Sequence, residues 1–357
     1  MLDIDKIIEK RLKEQRITVN EALFLYKSAS LSKLLYASYQ IKDFLFGKKV
    51  FYVQNVHIEP TNYCVNKCKF CAFHKEPDEN NFWEYSQNEI LQRLQHIPET
   101  VSEIHITGGV HPDRDLDWYA TLLKKIKLAR PSADIKAFTA IEINYMCKKS
   151  GVTISEGLRK LKENGLSSLA AGGAEIFNPD IRKQLCPEKG PADIWINIHR
   201  QAHQLGIVSN ASMLYGHIET PEHRLEHLNT IRQLQDETNG FNAFIPLKFR
   251  RQHNFLSYLD ELPFIEDLKI IAISRLFLDN IPHIKTYWPM LGKDKSFICL
   301  HAGADDLDGT IYNSTKIYSM AGSEEQLPSL STEEITEKIL EEGFIPVERN
   351  LFYQEKM

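Results

Sequence analysis

The sequence HIEPTNYCVNKCKFCAF, residues 57–73, contains three cysteines in a C-x3-C-x2-C spacing. Cys64, Cys68 and Cys71 can bind one metal cluster from a single loop, with backbone N–H groups turned toward their sulfurs. Three thiolate ligands leave one iron of a [4Fe–4S] cluster open to a further ligand. The loop directly follows an apolar run, which places it at the carboxyl end of a predicted strand.

Outward from this loop, short apolar runs alternate with amphipathic helices, a pattern typical of βα units in a parallel sheet. The predicted strands are Val53–Glu59, Glu103–Thr107, Ile135–Thr139, Ser168–Ala171, Ile207–Met213, Ala243–Pro246, His283–Trp288 and Phe297–His301. Six units are clear and eight are plausible. The pattern predicts an α/β fold, a (β/α) TIM-type barrel that is complete or partial, with its working face at the carboxyl ends of the strands.

Three segments are predicted along the chain. Residues 1–50 have helical spacing and form an N-terminal helical segment that packs on the barrel, which covers residues 51–322. Residues 323–357 form a C-terminal helix and tail, in which Ser331 and Glu334 fit a capping box.

Composition and charge restrict the function. The net charge is −5, with 43 basic and 48 acidic residues interspersed, so no basic patch for nucleic acid is expected. The sequence has neither a membrane-spanning apolar run nor the apolar start of a signal peptide, and we expect a cytoplasmic protein. A tight cysteine cluster in that reducing compartment indicates metal binding or catalysis. The sequence leaves the oligomeric state open.

The cysteine loop has two other interpretations. His74 could complete a Cys3His zinc site, which would make the chain a zinc-binding interaction module. Structural zinc usually joins two knuckles from separate places in the chain, whereas these candidates all lie on one loop. A four-cysteine electron-transfer cluster would need Cys147, Cys186 or Cys299, and isolated cysteines are more often buried apolar residues.

With Phe70 before the third cysteine, the motif resembles that of the radical S-adenosylmethionine (SAM) superfamily. The resemblance extends over about residues 1–357 and is closest to the aminodeoxyfutalosine synthase family of menaquinone biosynthesis. The runs that carry it are HIEPTNYCVNKCKFCAF, EIHITGGVHPD, KAFTAIEI, GGAEIF, NASMLYGHIETPEHR, DETNGFNAFIPL, SRLFLDNIPHIKTYWPMLG and HAGADDLDGTI. Three of them, GGAEIF, MLYGHIET and GADDLDGT, favour this family over its sisters, cyclic dehypoxanthinyl futalosine synthase and the deazaflavin-type synthase. His301 and Ala302 depart from the expected apolar residue or glycine.

The resemblance implies a radical SAM transferase with a [4Fe–4S] cluster. The 5′-deoxyadenosyl radical would add to the enol double bond of 3-[(1-carboxyvinyl)oxy]benzoate. Rearrangement and loss of a carboxyl group would then give 6-amino-6-deoxyfutalosine and methionine, with SAM consumed as a co-substrate. A flavodoxin or ferredoxin-type reductant would supply the electron.

Several residues would contact SAM. The resemblance assigns Phe70 to the adenine and the backbone of Gly108 and Gly109 to the methionine amino group, because residues without a Cβ allow close approach. Gly172 and Gly173 repeat this arrangement after the fourth strand.

Acidic side chains follow the third and fourth strands. Glu175 could accept hydrogen bonds from a ribose or an amine, although exposed or capping glutamates are common. Glu142 is a comparable candidate that could instead form a salt bridge.

Polar residues also leave the fifth strand. Alternation places Asn210 and Ser212 on one face, which in a barrel can be the lumen. Tyr215 belongs to the run YGHIE, which loosely resembles an adenine-binding segment of the superfamily.

A dicarboxylate substrate requires cationic or N–H donors in a dry cavity. His217 and Lys285 are the preferred candidates over His283 and over Arg275, which is predicted to lie on a helix. After the eighth strand, three carboxylates are either ligands or loop caps around glycines, namely Asp305, Asp306 and Asp308.

Overall fold

A curved sheet of seven parallel strands forms the centre of the molecule, and its strands are adjacent in chain order. The computed structural model describes residues 2–312 and 315–356. The seven strands are β2 (Asn55–Ile58), β3 (Glu103–Ile106), β4 (Asp134–Ala137), β5 (Leu166–Leu169), β6 (Val208–Tyr215), β7 (Phe241–Lys248) and β8 (His283–Ile284). The sheet does not close on itself. The predicted α/β barrel is therefore confirmed in its partial form.

A smaller parallel sheet lies beside the opening of this half-barrel. Its order is β10-β1-β9, in which the strands are β1 (Lys49–Val53), β9 (Asp306–Gly309) and β10 (Ile345–Glu348). Single bridges pair Lys285 with Asp306 and Val56 with Tyr312. The segment that starts with β9 therefore connects the two edge strands of the half-barrel, β8 and β2.

Helices cover the outer face of the sheet. In chain order they are α1 (Ile4–Leu12), α2 (Val19–Ser28), α3 (Leu31–Phe46), α4 (Gln87–Gln95), α5 (Leu116–Ala129), α6 (Ala140–Ser150), α7 (Ile154–Glu163), α8 (Pro179–Leu185), α9 (Ala192–Gln204), α10 (Pro221–Thr238), α11 (Phe264–Phe277), α12 (Trp288–Leu291), α13 (Lys293–Ile298) and α14 (Thr332–Glu341). Helix α14 begins with the predicted capping box of Ser331 and Glu334. None of the helices in the described part of the chain is long and apolar enough to cross a membrane.

The two ends of the chain pack onto this core. Helix α3 lies against α11, and strand β10 pairs with β1 in a register that joins Lys49 to Ile345. The three-segment division of the chain stays a prediction.

The strand predicted at Phe297–His301 is wrong. Helix α13 ends at Ile298, and a 3-10 turn covers Cys299–Ala302. A short apolar run does not by itself distinguish a strand from a helix, and in this run Ile298 and His301 are exposed. The strand that follows β8 is instead β9, whose sequence DLDG lacks an apolar pattern because its carboxylates pair with buried cations.

Candidate active site

The cysteine loop between β2 and α4 has little regular structure and is held by side-chain hydrogen bonds. Asn62 Oδ1 accepts from the Trp83 backbone N–H at 2.9 Å, and Asn62 Nδ2 donates to the Asn81 carbonyl at 2.9 Å. The Trp83 indole N–H donates to the Glu59 carbonyl at 2.9 Å. These bonds tie the start of the loop to its end and fix the position of the cysteines between them.

The three cysteines of the loop line one cavity of about 120 Å³. The Val110 backbone N–H donates to the Cys64 sulfur at 3.3 Å. Burial raises the pKa of the Cys64 thiol, and it raises the pKa of Cys71 to about 12. Buried thiols of this kind ionise only beside a cation, which bound iron provides. The donor set fits the cluster that the motif predicts.

The spacing of the sulfurs argues against the zinc interpretation. Two ligands bound at about 2.3 Å to a tetrahedral zinc lie roughly 3.8 Å apart. Among the described residues, the one group of three metal-ligating side chains with atoms all within 4.8 Å of one another is His57, His105 and Asp308. The three cysteine sulfurs do not form such a group, so they lack the close spacing of a tetrahedral zinc site.

A larger cavity of about 300 Å³ opens beside the cluster cavity. Residues that line both cavities are Phe70, Cys71, Phe73, Gly108, Thr139, Gly173 and Lys189. Other residues predicted from the sequence line the larger cavity alone, namely Gly172, Glu175 and Asn210. Two small molecules, or one that spans both spaces, would therefore be in contact here.

The glycines after β3 bring that strand end against the cysteine loop. A Cβ on Gly109 would lie 2.2 Å from the Tyr63 carbonyl oxygen, and a Cβ on Gly108 would lie 2.8 Å from the Thr61 carbonyl oxygen. The close approach is therefore to the loop backbone. A contact of these glycines with the methionine part of SAM stays a prediction.

Lys189 lies at the boundary of the two cavities and was missed by the sequence analysis. Its ammonium group pairs with Glu175 at 2.5 Å and lies 5.3 Å from the centre of the Phe70 ring. Burial disfavours its charge, but Cys68 and Glu175 hold the pKa of Lys189 well above its ordinary value. Glu175 is thus partnered, at a left-handed φ of 51° that a side chain rarely adopts.

Comparison with known proteins gives the family. The radical SAM superfamily matches residues 58–231, and the CofH/MqnC C-terminal region matches residues 238–357. The chain is 38% identical over 354 residues to aminodeoxyfutalosine synthase of Thermus thermophilus, covering 98% of this chain and 95% of that protein. The chain belongs to the aminodeoxyfutalosine synthase family. It is a radical SAM enzyme, and this superfamily uses a [4Fe–4S] cluster and SAM.

Two further proteins are similar to this chain, one in sequence and one in fold. The chain is 35% identical over 357 residues to cyclic dehypoxanthine futalosine synthase of Streptomyces coelicolor, covering 99% of this chain and 88% of that protein. The crystal structure of methylornithine synthase (PylB) superposes with a TM-score of 0.77 at 20% identity, covering 95% of this chain and 97% of that chain. The second likeness shows the shared fold alone.

Other predicted residues of this aminodeoxyfutalosine synthase family member lie outside both cavities. Ser212 donates to the Ala171 carbonyl at 2.7 Å, and Tyr215 donates to Asp267 at 2.9 Å. Glu142 accepts from the Thr139 backbone N–H at 2.7 Å in the capping box of α6. These three side chains bond to protein groups behind the cavity walls. Their predicted contacts with SAM stay predictions.

The two residues predicted to bind substrate carboxylates do not line the larger cavity. Both ring nitrogens of His217 are in use, with Nδ1 2.8 Å from Glu219 and Nε2 3.0 Å from the Leu214 carbonyl. Lys285 is fully buried and donates to Asp308 at 2.6 Å. These partners occupy the groups that would bind a substrate carboxylate, and the assignment of both residues stays a prediction.

Charged and polar residues that the sequence analysis did not select face the larger cavity instead, namely His57, His105, Lys136, Arg250 and Tyr287. His57, His105 and Lys136 lie within strands β2, β3 and β4, where register pairs His57 with His105 and His105 with Lys136. These three residues could have been predicted from the sequence, because polar residues in register on adjacent strands point to the same face of the sheet.

Proposed function

We propose that the enzyme transfers the 5′-deoxyadenosyl group of SAM to 3-[(1-carboxyvinyl)oxy]benzoate and produces 6-amino-6-deoxyfutalosine for menaquinone biosynthesis. The carbon–sulfur bond of SAM breaks, and the adenosyl carbon bonds to the terminal enol carbon. The aryl–oxygen bond is then exchanged for an aryl–carbon bond, and the former ether oxygen becomes a ketone oxygen. The carboxyl group leaves as carbon dioxide or bicarbonate with release of one electron, which balances the electron used to break the carbon–sulfur bond. The observation that carries the proposal is the near whole-length match to aminodeoxyfutalosine synthase.

The arrangement of the cavities supports this proposal. Cys64, Cys68 and Cys71 would hold the cluster in the smaller cavity, from which Cys71 and Phe70 also reach the larger one. When bound, the reduced cluster supplies the electron that releases the adenosyl group of SAM as a carbon radical. Gly108 and Gly173 line both cavities. The lining of the larger cavity is mostly apolar, which disfavours water beside the reacting carbons.

Cellular partners follow from the same chemistry. We propose a flavodoxin or ferredoxin-type protein as the electron donor and the cytoplasm as the compartment. All six cysteines are free of disulfides, as a reducing environment requires.

The fate of the adenosyl carbon tests the reaction. Anaerobically reconstituted enzyme would be supplied with the enolpyruvyl benzoate and with SAM that carries carbon-13 at the 5′ position. Mass spectrometry should find most of the label in a purine adduct that has lost one carboxyl group. A parallel reaction without the benzoate should return the label as 5′-deoxyadenosine. If the complete reaction also returned only 5′-deoxyadenosine, the proposed function would be wrong.

A further inference from the structure

Two histidines and one aspartate bring three possible metal ligands together in the wall of the larger cavity. Nδ1 of His105 lies 3.0 Å from Nε2 of His57, and the same Nε2 lies 3.6 Å from Oδ2 of Asp308. One ligand atom from each residue lies within 4.8 Å of the other two, and all three side chains line the cavity. Ligands bound at about 2.0–2.2 Å to one tetrahedral zinc ion lie roughly 3.3–3.6 Å apart. The spacing of these residues, which we call the cavity triad, therefore suits a single metal ion.

The orientation of the two histidine rings also fits a shared ion. The ring centres of His57 and His105 lie 4.7 Å apart, with an angle of 49° between the ring planes. Two imidazoles that bind one zinc ion at about 2.0–2.1 Å, with their nitrogens 3.0 Å apart, place their ring centres about 4.7 Å apart. A straight hydrogen bond between nitrogens 3.0 Å apart would place the ring centres about 5.3 Å apart. The two nitrogens therefore converge on one point.

Groups behind the cavity triad hold its members in place. The other ring nitrogen of His105, Nε2, contacts the Glu103 carboxylate. A carboxylate at this position is the usual partner of a metal-binding histidine, because it fixes the ring and its proton. Oδ1 of Asp308 accepts from Lys285 at 2.6 Å, whereas Oδ2 accepts from Asn55 Nδ2 at 3.2 Å. The shorter contact orients the carboxylate and leaves Oδ2 as the ligand atom.

The backbone of Asp308 has an unusual conformation at the same place. Asp308 lies in β9 and has a left-handed φ of 70°. Its backbone N–H donates to Oδ1 of Asp306 at 2.6 Å. Left-handed residues other than glycine persist only where the surrounding structure fixes them, and they cluster at functional sites. The conformation therefore supports a ligand role for Asp308.

The charges around the cavity triad favour a cation and an anion together. Buried cations and carboxylates are equal in number there, namely Lys136, Lys285 and Arg349 against Glu103, Asp306 and Asp308. A divalent ion adds two positive charges to this balanced set, and a ligand with two carboxylates adds two negative charges. Because uncompensated charge is costly to bury, the ion and a dicarboxylate should each strengthen the binding of the other.

We propose that His57, His105 and Asp308 bind a divalent metal ion of the zinc type, and that this ion binds one carboxylate of the substrate at its open coordination position. Two imidazoles and a carboxylate suit zinc, and three protein ligands with one open position are typical of zinc sites that act on a ligand. Zinc has no redox chemistry and so does not consume a carbon radical. The dicarboxylate is supplied by the proposed function, on which the second part of this inference rests.

Zinc binding to the cluster-loaded enzyme tests the site without any turnover. In this form iron occupies the cysteine loop, so zinc does not bind there. The enzyme would be dialysed anaerobically against zinc and then against zinc-free buffer, and its metals would be measured by elemental analysis. We expect one equivalent of zinc per chain beside the full content of cluster iron. A wild-type enzyme that retains no zinc would overturn the proposal.

Variants of single histidines locate the zinc. His57→Gln and His105→Gln each remove one ligand, and His301→Gln is the matched control. His301 is exposed and pairs with Glu342 at 2.8 Å, and no third ligand joins this pair among the described residues. Loss of an outer partner of a metal site costs about 10–100-fold in affinity and loss of a direct ligand costs more, so the zinc affinity should fall at least about 100-fold in the first two variants.

His301→Gln should bind zinc as the wild type does. Iron content and far-ultraviolet circular dichroism show whether each variant is intact, and both should match the wild type. If one of the two triad variants does not fold, the other decides. Equal zinc retention in the wild type and in all folded variants would show that the metal is bound elsewhere and that the triad is a hydrogen-bonded cluster.

Cobalt(II) tests the contact with the carboxylate. Cobalt(II) can replace zinc at such sites and is paramagnetic, whereas the oxidised [4Fe–4S] cluster is diamagnetic, so the electron paramagnetic resonance spectrum reports on the added ion alone. The enolpyruvyl benzoate, added without SAM, should change this spectrum and raise the zinc affinity, because its carboxylate becomes a ligand. Its dimethyl ester, which has no carboxylate, should do neither. An unchanged spectrum and affinity with the dicarboxylate would overturn the contact.

The two proposals fail in different ways. If the wild-type enzyme forms no labelled adduct from the enolpyruvyl benzoate, the proposed function is wrong, and the zinc measurements still decide on the metal site because they need no SAM. If the wild-type enzyme forms the adduct but retains no zinc, the reaction is correct and the metal site is wrong.

Discussion

The larger cavity has charged side chains on two sides, which we call its floor, beside strands β2 to β4 where Lys136 and Asp308 line it, and its mouth, beyond the end of β7 where Arg250 lines it. The charges of the two sides are partnered to different extents. The buried charge network of the floor consists of Glu103, Lys136, Lys285, Asp306, Asp308 and Arg349. Each member has an opposite charge beside it. At the mouth, Arg250 retains a buried donor without an acceptor. Burial by itself therefore does not show whether a charged group is fully partnered.

Two buried carboxylates near the larger cavity also differ in their partners. Burial would raise the pKa of Asp308, but Lys285 and His57 hold it well below its ordinary value. Glu142, in the wall behind Gly108, has only backbone and hydroxyl donors, and burial raises its pKa to about 7. The presence of a cation at contact distance decides which way a buried acid shifts.

The largest effect is expected at the cysteines, because three of them are predicted to bind the cluster and the other three are not. Alanine in place of Cys64, Cys68 or Cys71 should remove most of the cluster iron and, with it, all turnover. Alanine in place of the cysteines outside the loop, Cys147, Cys186 and Cys299, should leave the iron content unchanged. Iron and sulfide analysis of the six variants provides the measurement. Cluster loss in a folded variant of the second group would contradict the three-ligand site.

Breaking the buried charge network should give the next largest effect. Lys285→Met leaves Asp308 without its cation, and removal of one partner of a buried pair costs about 3–5 kcal/mol of unfolding free energy. Lys338→Met is the control, since Lys338 and Asp294 form an exposed pair 3.5 Å apart and such pairs contribute about 0–1 kcal/mol. Urea unfolding under anaerobic conditions measures both. Equal stability of the two variants would show that the network contributes nothing.

A smaller effect, which depends on the pH, is expected at Glu142. Its folded pKa of about 7 exceeds the unfolded value, so its protonated form is favoured by folding and stability falls as the pH rises from about 4.5 to 7. One pKa unit corresponds to about 1.4 kcal/mol, so the loss reaches roughly 3 kcal/mol.

Glu142→Gln should remove that loss, which unfolding free energies at pH 5 and pH 7 would detect. Glu156→Gln is the control, because Glu156 forms the same kind of capping box at the exposed start of α7. The prediction fails if the two variants show the same difference in stability between pH 5 and pH 7.

The sequence was sufficient for those features that depend on short stretches of chain. The three cysteines lie within eight consecutive residues, and the alternation of βα units repeats locally, so both the cluster motif and the half-barrel could be predicted. The glycines after β3 and β5 were identified because they follow predicted strands. The Phe297–His301 strand was wrong because a short apolar run is equally compatible with a helix.

Only the tertiary structure decided which charged residues are available to a ligand. Lys285 and Arg250 are equally basic in the sequence, yet Asp308, 23 residues from Lys285, occupies its ammonium group. His57 and His105 are 48 residues apart and meet because β2 and β3 are paired in register. The free energy of a buried charge depends on which groups lie within a few ångströms of it, and those groups come from distant parts of the chain.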